Sequence, residues 1–486
     1  MNRKLIIRVL GAILGIEAIA MLPAFLIAVF KHEPSGAVLG FCMLGLLIPG
    51  AAIWLSVHPA KNSHLRLKEG YLIVGLGWIV LSVGGALPFY FSRLYSTFWD
   101  ALFESVSGFT TTGATVLTSF EGFPKGLMFW RCTTHWIGGM GVLVLTLALL
   151  PKLTGRTSHL VRAESPGPSL SKLVPHTGST AKILYILYIA LTLMEFLALL
   201  LCGLSPYDAA IHAMSNAGTG GFSNYGASIA AFDSLAAEIV ITVFMFLFGV
   251  NFALYYKFLI MEPGKRLLVF FRDEEFRWYF IVTLSCILLL SLFNLTCYQN
   301  NFWNSLRYSS FQICSVFSTT GFVTWNFNSW PVPSQMLIFF TMFFGACAGS
   351  TAGGIKFIRV ALLAKMGRRQ IRSTGRPRKI EVVRLDGKAV DESMLSQITV
   401  FAIVYVFLVL CGGFLLSMEG RFGAMDNLSA ALTCVSNVGP AFGALASDFA
   451  GYGPFGKIAC SFLMLAGRLE LFPMLILFSR SIWKTN

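Results

Sequence analysis

Charge is scarce in this sequence. Only 12% of its 486 residues are Asp, Glu, Lys or Arg, against about a quarter in soluble domains, which excludes a water-facing surface over most of the chain. Metal-ligand spacing is missing as well. The ten cysteines, among them Cys42, Cys202, Cys286, Cys411 and Cys460, form no CxxC pair, and the seven histidines form no HExxH pattern, so metalloenzyme chemistry has no ligand set. No GxGxxG follows a strand pattern. The nearest phosphate-loop match, GYGPFGKI at 451–458, lacks the Ser or Thr after its lysine. No cluster of nucleophile and base marks a membrane enzyme or transferase.

What fills the chain is apolar: 56% of residues are hydrophobic. Runs of about 20 such residues, enough to cross ~30 Å of hydrocarbon, fall at 5–30, 37–57, 71–92, 127–150, 181–204, 233–256, 278–298, 333–364, 398–417 and 456–479. The first follows MNRK but is too long for a signal peptide and has no small-residue cleavage site after it, so it reads as a retained span. The net charge of +14 follows topology. Most basic residues sit at the N-terminus, at 58–68, 152–182, 257–277 and 356–388, and after the last span, whereas the opposite loops hold few, such as Lys31, Arg93, Arg307 and Arg421. The positive-inside rule places both termini in the cytoplasm. Nucleic acid is not a partner that this distribution implies.

Within the apolar background one pattern recurs four times: GFTTTGAT at 108–115, NAGTGGFS at 216–223, VFSTTGFV at 316–323 and CVSNVGPA at 434–441. Their glycines, Gly113, Gly221, Gly321 and Gly439, are 108, 100 and 118 residues apart. Repetition at this period implies four copies of one supersecondary unit around a shared axis. Thirteen positions before three of the glycines stand Asp100, Asp208 and Asp426, residues that favour helix starts. The third copy has Tyr308 there, with Ser309 and Ser310 as substitute caps. The ten or so residues that follow rise only ~15 Å as a helix and must turn back inside the membrane, where non-helical backbone survives only if it lines a cavity or is buried in protein.

Each glycine segment therefore reads as one strand of an ion filter. Removing water from a cation costs on the order of tens of kcal/mol unless other oxygens replace it, and backbone carbonyls do so without net charge. Thr111, Thr112, Gly113 and Ala114 supply one side, and Thr219, Gly220, Gly221 and Phe222 the second. Thr319, Thr320, Gly321 and Phe322 supply the third, and Asn437, Val438, Gly439 and Pro440 the fourth. The C-terminal ends of the short helices add negative potential. With one well-placed glycine per strand, fewer ordered ion sites are expected than in a TVGYG filter. Nine positions before the glycines, Glu104, His212, Gln312 and Ala430 place three polar groups at one register, read as hydrogen-bonded braces.

The fold class expected is an all-α polytopic membrane protein. Two leading helices (1–60) precede four helix/pore-loop/helix repeats at 61–160, 161–262, 263–378 and 379–486 around a pseudo-fourfold pore, with about ten spans and four re-entrant helices. The run 333–364 exceeds one crossing and holds GACAGSTAGGI at 345–355. Its Gly345, Gly349 and Gly353 fit either a helix-packing stripe or, with Ser350, Thr351 and Gly354, an unwound segment across the pore that moves as a gate. Lys356 at its end either joins that gate or snorkels outward. Arg468 is a charge inside the last span and by default a functional hypothesis: a barrier to cations below the filter, or a structural partner of Glu470 or a carbonyl.

At these residues the chain resembles the membrane subunit of the bacterial Trk potassium-uptake system, the TrkH/TrkG type within the Trk, Ktr and HKT transporters. The resemblance covers essentially the whole chain. It is most specific at TTTGAT (110–115), GGFS (220–223), TTGF (319–322), NVGP (437–440), GSTAGGIK (349–356) and GRLE (467–470). It implies K⁺ as the transported ion with no covalent cofactor, the third-repeat loop and Arg468 near the gate, and Gly113 as the K⁺-permissive form where serine goes with Na⁺. It also implies a homodimer in the bacterial inner membrane, seated on a TrkA-type cytoplasmic ring that senses nucleotide and touches loops such as 257–277 and 365–394. Coupled K⁺/H⁺ or K⁺/Na⁺ symport stays open as the alternative mechanism.

Overall fold

Four related glycine segments predict four related units, and the computed structural model, which describes residues 3–58, 67–141, 177–375 and 381–480, contains them after a leading helical pair. The basic stretch 59–66, the end of the run 127–150, most of the stretch 152–182, residues 376–380 and the chain end lie outside the described residues.

The leading pair consists of α1 (Arg3–Ala20) and α2 (Leu22–Phe30), which together make one crossing interrupted at Met21 before Pro23, and α3 (Ser35–Ser56), which returns. Gly11 and Gly50 let α1 and α3 touch at backbone distance. A Cβ on Gly11 would come within 2.6 Å of Ile53, and one on Gly50 within 2.9 Å of the Gly11 carbonyl. This is the small-residue packing by which helices associate in lipid.

Each unit has a long helix, a short one, the glycine segment and a second apolar helix. The long helices are α4 (Leu67–Phe91), α7 (Thr177–Leu201), α12 (Glu274–Phe293) and α16 (Glu392–Ser417). The short ones are α5 (Phe98–Phe109), α8 (Pro206–Ala217), α13 (Phe302–Phe317) and α17 (Ala424–Ser436). At 12 to 16 residues these rise about 18–24 Å, too little to cross. Their starts differ from the sequence expectation. The aspartates stand at the third helical position, where Asp100 accepts from the Thr97 amide (3.0 Å) and Asp426 from the Gly423 amide (3.2 Å), while Thr97 and Ser205 are the caps. In the third unit Asn301 caps Trp303 and Asn304, so Tyr308, Ser309 and Ser310 are mid-helix and cap nothing.

The ten apolar runs resolve unequally. Among the described residues six spans cross as a single length of helix, the first with its break at Met21, and the four runs that follow the glycine segments are broken. α6 (Lys125–Gly139) ends at Met140; α9 (Leu235–Phe248) meets α10 (Phe252–Ile260) at 90°. A short helix, α11 (Leu268–Arg272), precedes the third unit. There α14 (Val332–Thr341) and α15 (Phe357–Gly375) are separated by a non-helical stretch, and α18 (Pro454–Arg468) stops before α19 (Phe472–Leu475). The cause is local crowding. Gly138 lies against the Phe109 carbonyl and Gly467 against the Val435 carbonyl, so the second helix reaches the end of the short helix only without a side chain. Two-residue strands β1 (Arg384–Leu385) and β2 (Lys388–Ala389) form a small antiparallel hairpin between α15 and α16.

Outside, the fold is apolar. Ile403, Phe407, Leu410 and Phe414 form an exposed stripe along α16, an arrangement suited to lipid and not to water. Inside, ion pairs join neighbouring units: Glu238 takes Arg307 in two bonds of 2.6 and 2.8 Å, and Lys457 of α18 pairs with Asp100 at the start of α5. Both members of the second pair are about nine-tenths buried. Lys457→Met should therefore lower stability by about 3–5 kcal/mol, the usual result of stranding one buried partner. Thermal unfolding in detergent checks this, and Asp100→Asn added to Lys457→Met should recover part of the loss.

Candidate functional site

The four short helices end alike. The amides of Thr112, Gly220, Thr320 and Val438 each reach back five residues, to the carbonyls of Ser107, Ser215, Ser315 and Thr433, at 2.9–3.1 Å. Such a 6→1 bond requires a left-handed residue just before it, and Thr111, Thr219, Thr319 and Asn437 have φ of 55–56°. Two residues later Gly113, Gly221, Gly321 and Gly439 are left-handed again, at φ 81°, 73°, 79° and 109°. In an ordinary strand successive carbonyls point to opposite sides. Alternating left-handed residues cancels that alternation and turns consecutive carbonyls to one side, and a non-glycine residue held this way costs about 1–2 kcal/mol.

These segments meet. A Cβ on Gly113 would strike the Gly220 carbonyl oxygen, one on Gly221 that of Thr320, and one on Gly321 that of Val438; on Gly439 it would lie 2.6 Å from that of Thr112. Each glycine is thus covered by the carbonyl that precedes the glycine of the next unit, and the fourth contact returns to the first segment. The four form a closed ring. All four glycines also line a cavity of about 590 Å³ walled by Phe120, Trp325 and Phe449 among others. Thr111 Oγ1 and Asn437 Oδ1 are buried without a hydrogen-bond partner, whereas the Thr112 hydroxyl is bonded to Thr110 (2.8 Å) and to the Asn437 amide (2.9 Å).

On the side away from that cavity lies the stretch between α14 and α15. It is not a helix, so the packing-stripe reading of Gly345, Gly349 and Gly353 does not hold: Gly349 and Gly354 are left-handed, at φ 71° and 63°. Its two legs pair through Gly345 N–H to the Ile355 carbonyl (2.6 Å) and Ile355 N–H to that of Phe343 (3.1 Å). The tip meets the glycine segments. Gly353 N–H donates to Thr319 Oγ1 at 2.8 Å, and a Cβ on Gly353 would come within 3.0 Å of Asn437 Oδ1.

Other elements hold this loop by its backbone. Glu275 Oε1 accepts from the Ala348 amide (2.6 Å) and the Ile358 amide (3.1 Å); the bend between α9 and α10 contributes Gly249 O to Cys347 N–H (2.9 Å) and Phe252 N–H to Gly349 O (3.1 Å). Ser350 and Thr351 hydroxyls bond the Cys347 and Phe248 carbonyls. Lys356 is 1% exposed and donates to the Ala352 carbonyl, so it does not snorkel. Arg468 joins loop to helix: one guanidinium nitrogen donates to Thr351 O (2.6 Å), another to Gly138 O (2.5 Å) and Gly139 O (2.6 Å). Glu470 pairs instead with Arg359 at 2.6 Å.

Comparison with known proteins matches residues 39–485 to TrkH, described as a cation transport protein. The chain belongs to the TrkH family. The proteins named Trk system potassium uptake protein TrkH of Salmonella typhimurium (strain LT2) and TrkG of Escherichia coli K12 are 35% and 31% identical to it, over 100% and 99% of both chains. The crystal structure of the potassium transporter TrkH from Vibrio parahaemolyticus superposes with a TM-score of 0.90 at 31% identity, covering 100% of each chain. Membership with full-length coverage identifies the chain as a multi-pass membrane protein and agrees with the resemblance drawn from its glycine segments.

Of the register-matched polar residues, Glu104 and His212 find partners and Gln312 does not. Glu104 accepts from Thr115 Oγ1 (2.8 Å), Val116 N–H (3.0 Å) and Arg131 Nε (2.6 Å); His212 bonds Ser223 Oγ at 3.0 Å. Neither polar atom of the buried Gln312 amide has a partner. Sequence reasoning passed over Arg131, His135 and Glu275. The rule that singled out Arg468, a charge inside an apolar run, applies equally to Arg131 in WRCTTHW at 130–136. Glu275 gave no such signal, because it stands in a charged stretch at a helix start.

Proposed function

We propose that this TrkH-family protein takes up potassium ions through one central path per chain, the four glycine segments forming its selectivity filter. One observation carries the reading: the closed ring in which each segment's carbonyl covers the next segment's glycine. Carbonyls of Thr112, Gly220, Thr320 and Val438 at one level replace an ion's water without adding charge, and the unpaired Thr111 Oγ1 and Asn437 Oδ1 add oxygen one level further in. The family and the potassium-uptake names of its relatives support K⁺ as the ion.

The loop at 342–356 acts as the gate, with Gly345, Gly349, Ser350, Thr351, Gly353, Gly354 and Lys356 as its moving part and Arg468 as its tether. The protein works as a homodimer in the cytoplasmic membrane with both termini inside, and a TrkA-type nucleotide-binding ring biases the gate from the cytoplasm. The basic end of α15, which carries Arg368, Arg369 and Arg372, suits such contact. Coupled symport is the second reading. It is favoured by Glu17 of α1, 1% exposed with neither carboxyl oxygen bonded, a group that fits a proton carrier. Density for Rb⁺ on the ring axis, absent without the ion, tests the filter; an axis free of Rb⁺ at saturating concentration overturns it. Flux in liposomes against a pH gradient separates the two mechanisms.

A further inference from the structure

The four filter segments are not held equally. Segments one and two share a buried clamp mounted on α6. Arg131 and His135, four residues apart and so on one face of that helix, both lie against Phe222, the residue after Gly221. The guanidinium carbon stands 3.4 Å from the ring centroid, and the imidazole stacks at 3.9 Å and 20°. Arg131 also donates to the Ser223 carbonyl (3.1 Å), and the Phe222 amide donates to His135 Nδ1 (3.4 Å). A Cβ on Gly220 would collide with the His135 ring. Through Nε, Arg131 holds Glu104, whose carboxylate receives Val116 N–H and Thr115 Oγ1 just beyond Gly113. Both members of the pair are fully buried, at 2% and 0% exposure, and their charges cancel. The ring therefore gains rigidity with no added field.

Segments three and four have no counterpart. At the Glu104 register they carry the unpartnered Gln312 and the apolar Ala430. Their bonds include no buried ion pair: Ser315 Oγ donates to the Phe322 carbonyl (2.7 Å), Gly439 N–H to Thr433 Oγ1 (2.8 Å), and the Asn437 amide to Thr112 Oγ1 (2.9 Å) and the Met464 carbonyl (3.0 Å). The gating loop touches this half, at Thr319, Ser436 and Asn437.

We propose that Arg131, acting with Glu104 and His135, is a specificity-determining positioning residue that fixes half of the filter as a rigid wall, while the other half yields with the gate. Discrimination against a smaller cation depends on what it costs the carbonyls to close in on it. A wall anchored through a buried ion pair and a stacked aromatic ring raises that cost more than neutral hydrogen bonds alone do. The proposal rests on the transport reading above.

The test is the ratio of K⁺ to Na⁺ flux carried by the full-length chain in proteoliposomes, measured apart from the K⁺ rate. Arg131→Met should lower the ratio about tenfold while the K⁺ rate changes less; Arg131→Lys, which keeps the charge and loses the planar contact, should recover part of it. Gln312→Leu should keep the wild-type ratio. A monodisperse Arg131→Met protein with the wild-type ratio overturns the proposal, as does an equal fall for Gln312→Leu. Should Arg131→Met fail to insert, Phe222→Leu decides, since it leaves the ion pair and removes only the ring: a lowered ratio supports the clamp and an unchanged one overturns it. If the wild-type chain carries no K⁺, the transport reading itself fails, which distinguishes the two.

Discussion

Gly113→Ser should lower the K⁺ to Na⁺ permeation ratio about tenfold or more. Two effects act together at this position. A side chain at φ 81° carries the left-handed penalty of about 1–2 kcal/mol, and its Cβ would strike the Gly220 carbonyl, one of four oxygens in the ring. The backbone relieves both by rotating Gly113 or moving Gly220, and either breaks the equality of the four carbonyls. A change of ~1.4 kcal/mol in the preference for one ion is a factor of ten. Gly203 supplies the control, because at φ 88° it is as left-handed as Gly113, yet a Cβ there meets nothing within 4 Å. Gly203→Ser should cost stability and leave the ratio unchanged. Competitive uptake of Rb⁺ and Na⁺ by cells lacking other potassium uptake reads both variants, and an unaltered ratio for Gly113→Ser removes the first segment from the filter.

The glycine segments were legible because their close packing in a ring fixes backbone conformation, and backbone conformation shows in residue type. A second left-handed position, three to four residues beyond each helix end, selects glycine strongly, so the pattern survives in all four copies while the neighbouring residues drift. The left-handed Thr111, Thr219 and Thr319 were not legible. Threonine has no preference for that conformation, and only the 6→1 bond at the helix end imposes it. Hydrophobicity exposed the spans for a related reason, since lipid makes the same demand along every crossing.

Breaks in the second helices were legible only in the third unit, where several glycines and hydroxyl residues crowd together. At Gly249 and Gly467 one glycine sufficed, and a lone glycine in an apolar run is ordinary. The clamp stayed hidden for a different reason. Its members come from three places far apart in the chain, Glu104, Arg131 with His135, and Phe222, and no periodicity links them. The expected third brace, Gln312, failed although its register is right. Register places a side chain on a helix face, but the partner has to come from a neighbouring element, and α14, the third unit's counterpart of α6, carries no arginine.

Arg468→Ala should raise K⁺ flux in the absence of any regulator by about tenfold or more. The sequence leaves Arg468 as either a barrier to cations or a structural partner of Glu470 or a carbonyl; its guanidinium donates to three carbonyls, on Thr351, Gly138 and Gly139, so it ties the loop to the end of α6. Charge-assisted bonds of this kind contribute roughly 1.5–3 kcal/mol each, enough that losing even one releases the loop tenfold more often. Tether and barrier differ in what lysine does. A single ammonium keeps the charge but cannot span from Thr351 to Gly138 as a planar fork does, so Arg468→Lys should also raise the flux if the tether dominates, and should stay near wild type if the barrier does. Removing residues 349–354 should raise flux to a similar level, because the loop itself is then gone. In that background Arg468→Ala should add nothing, since the two changes remove one interaction and their effects cannot sum. A further increase on combining them would mean that Arg468 acts on the ion path independently of the loop.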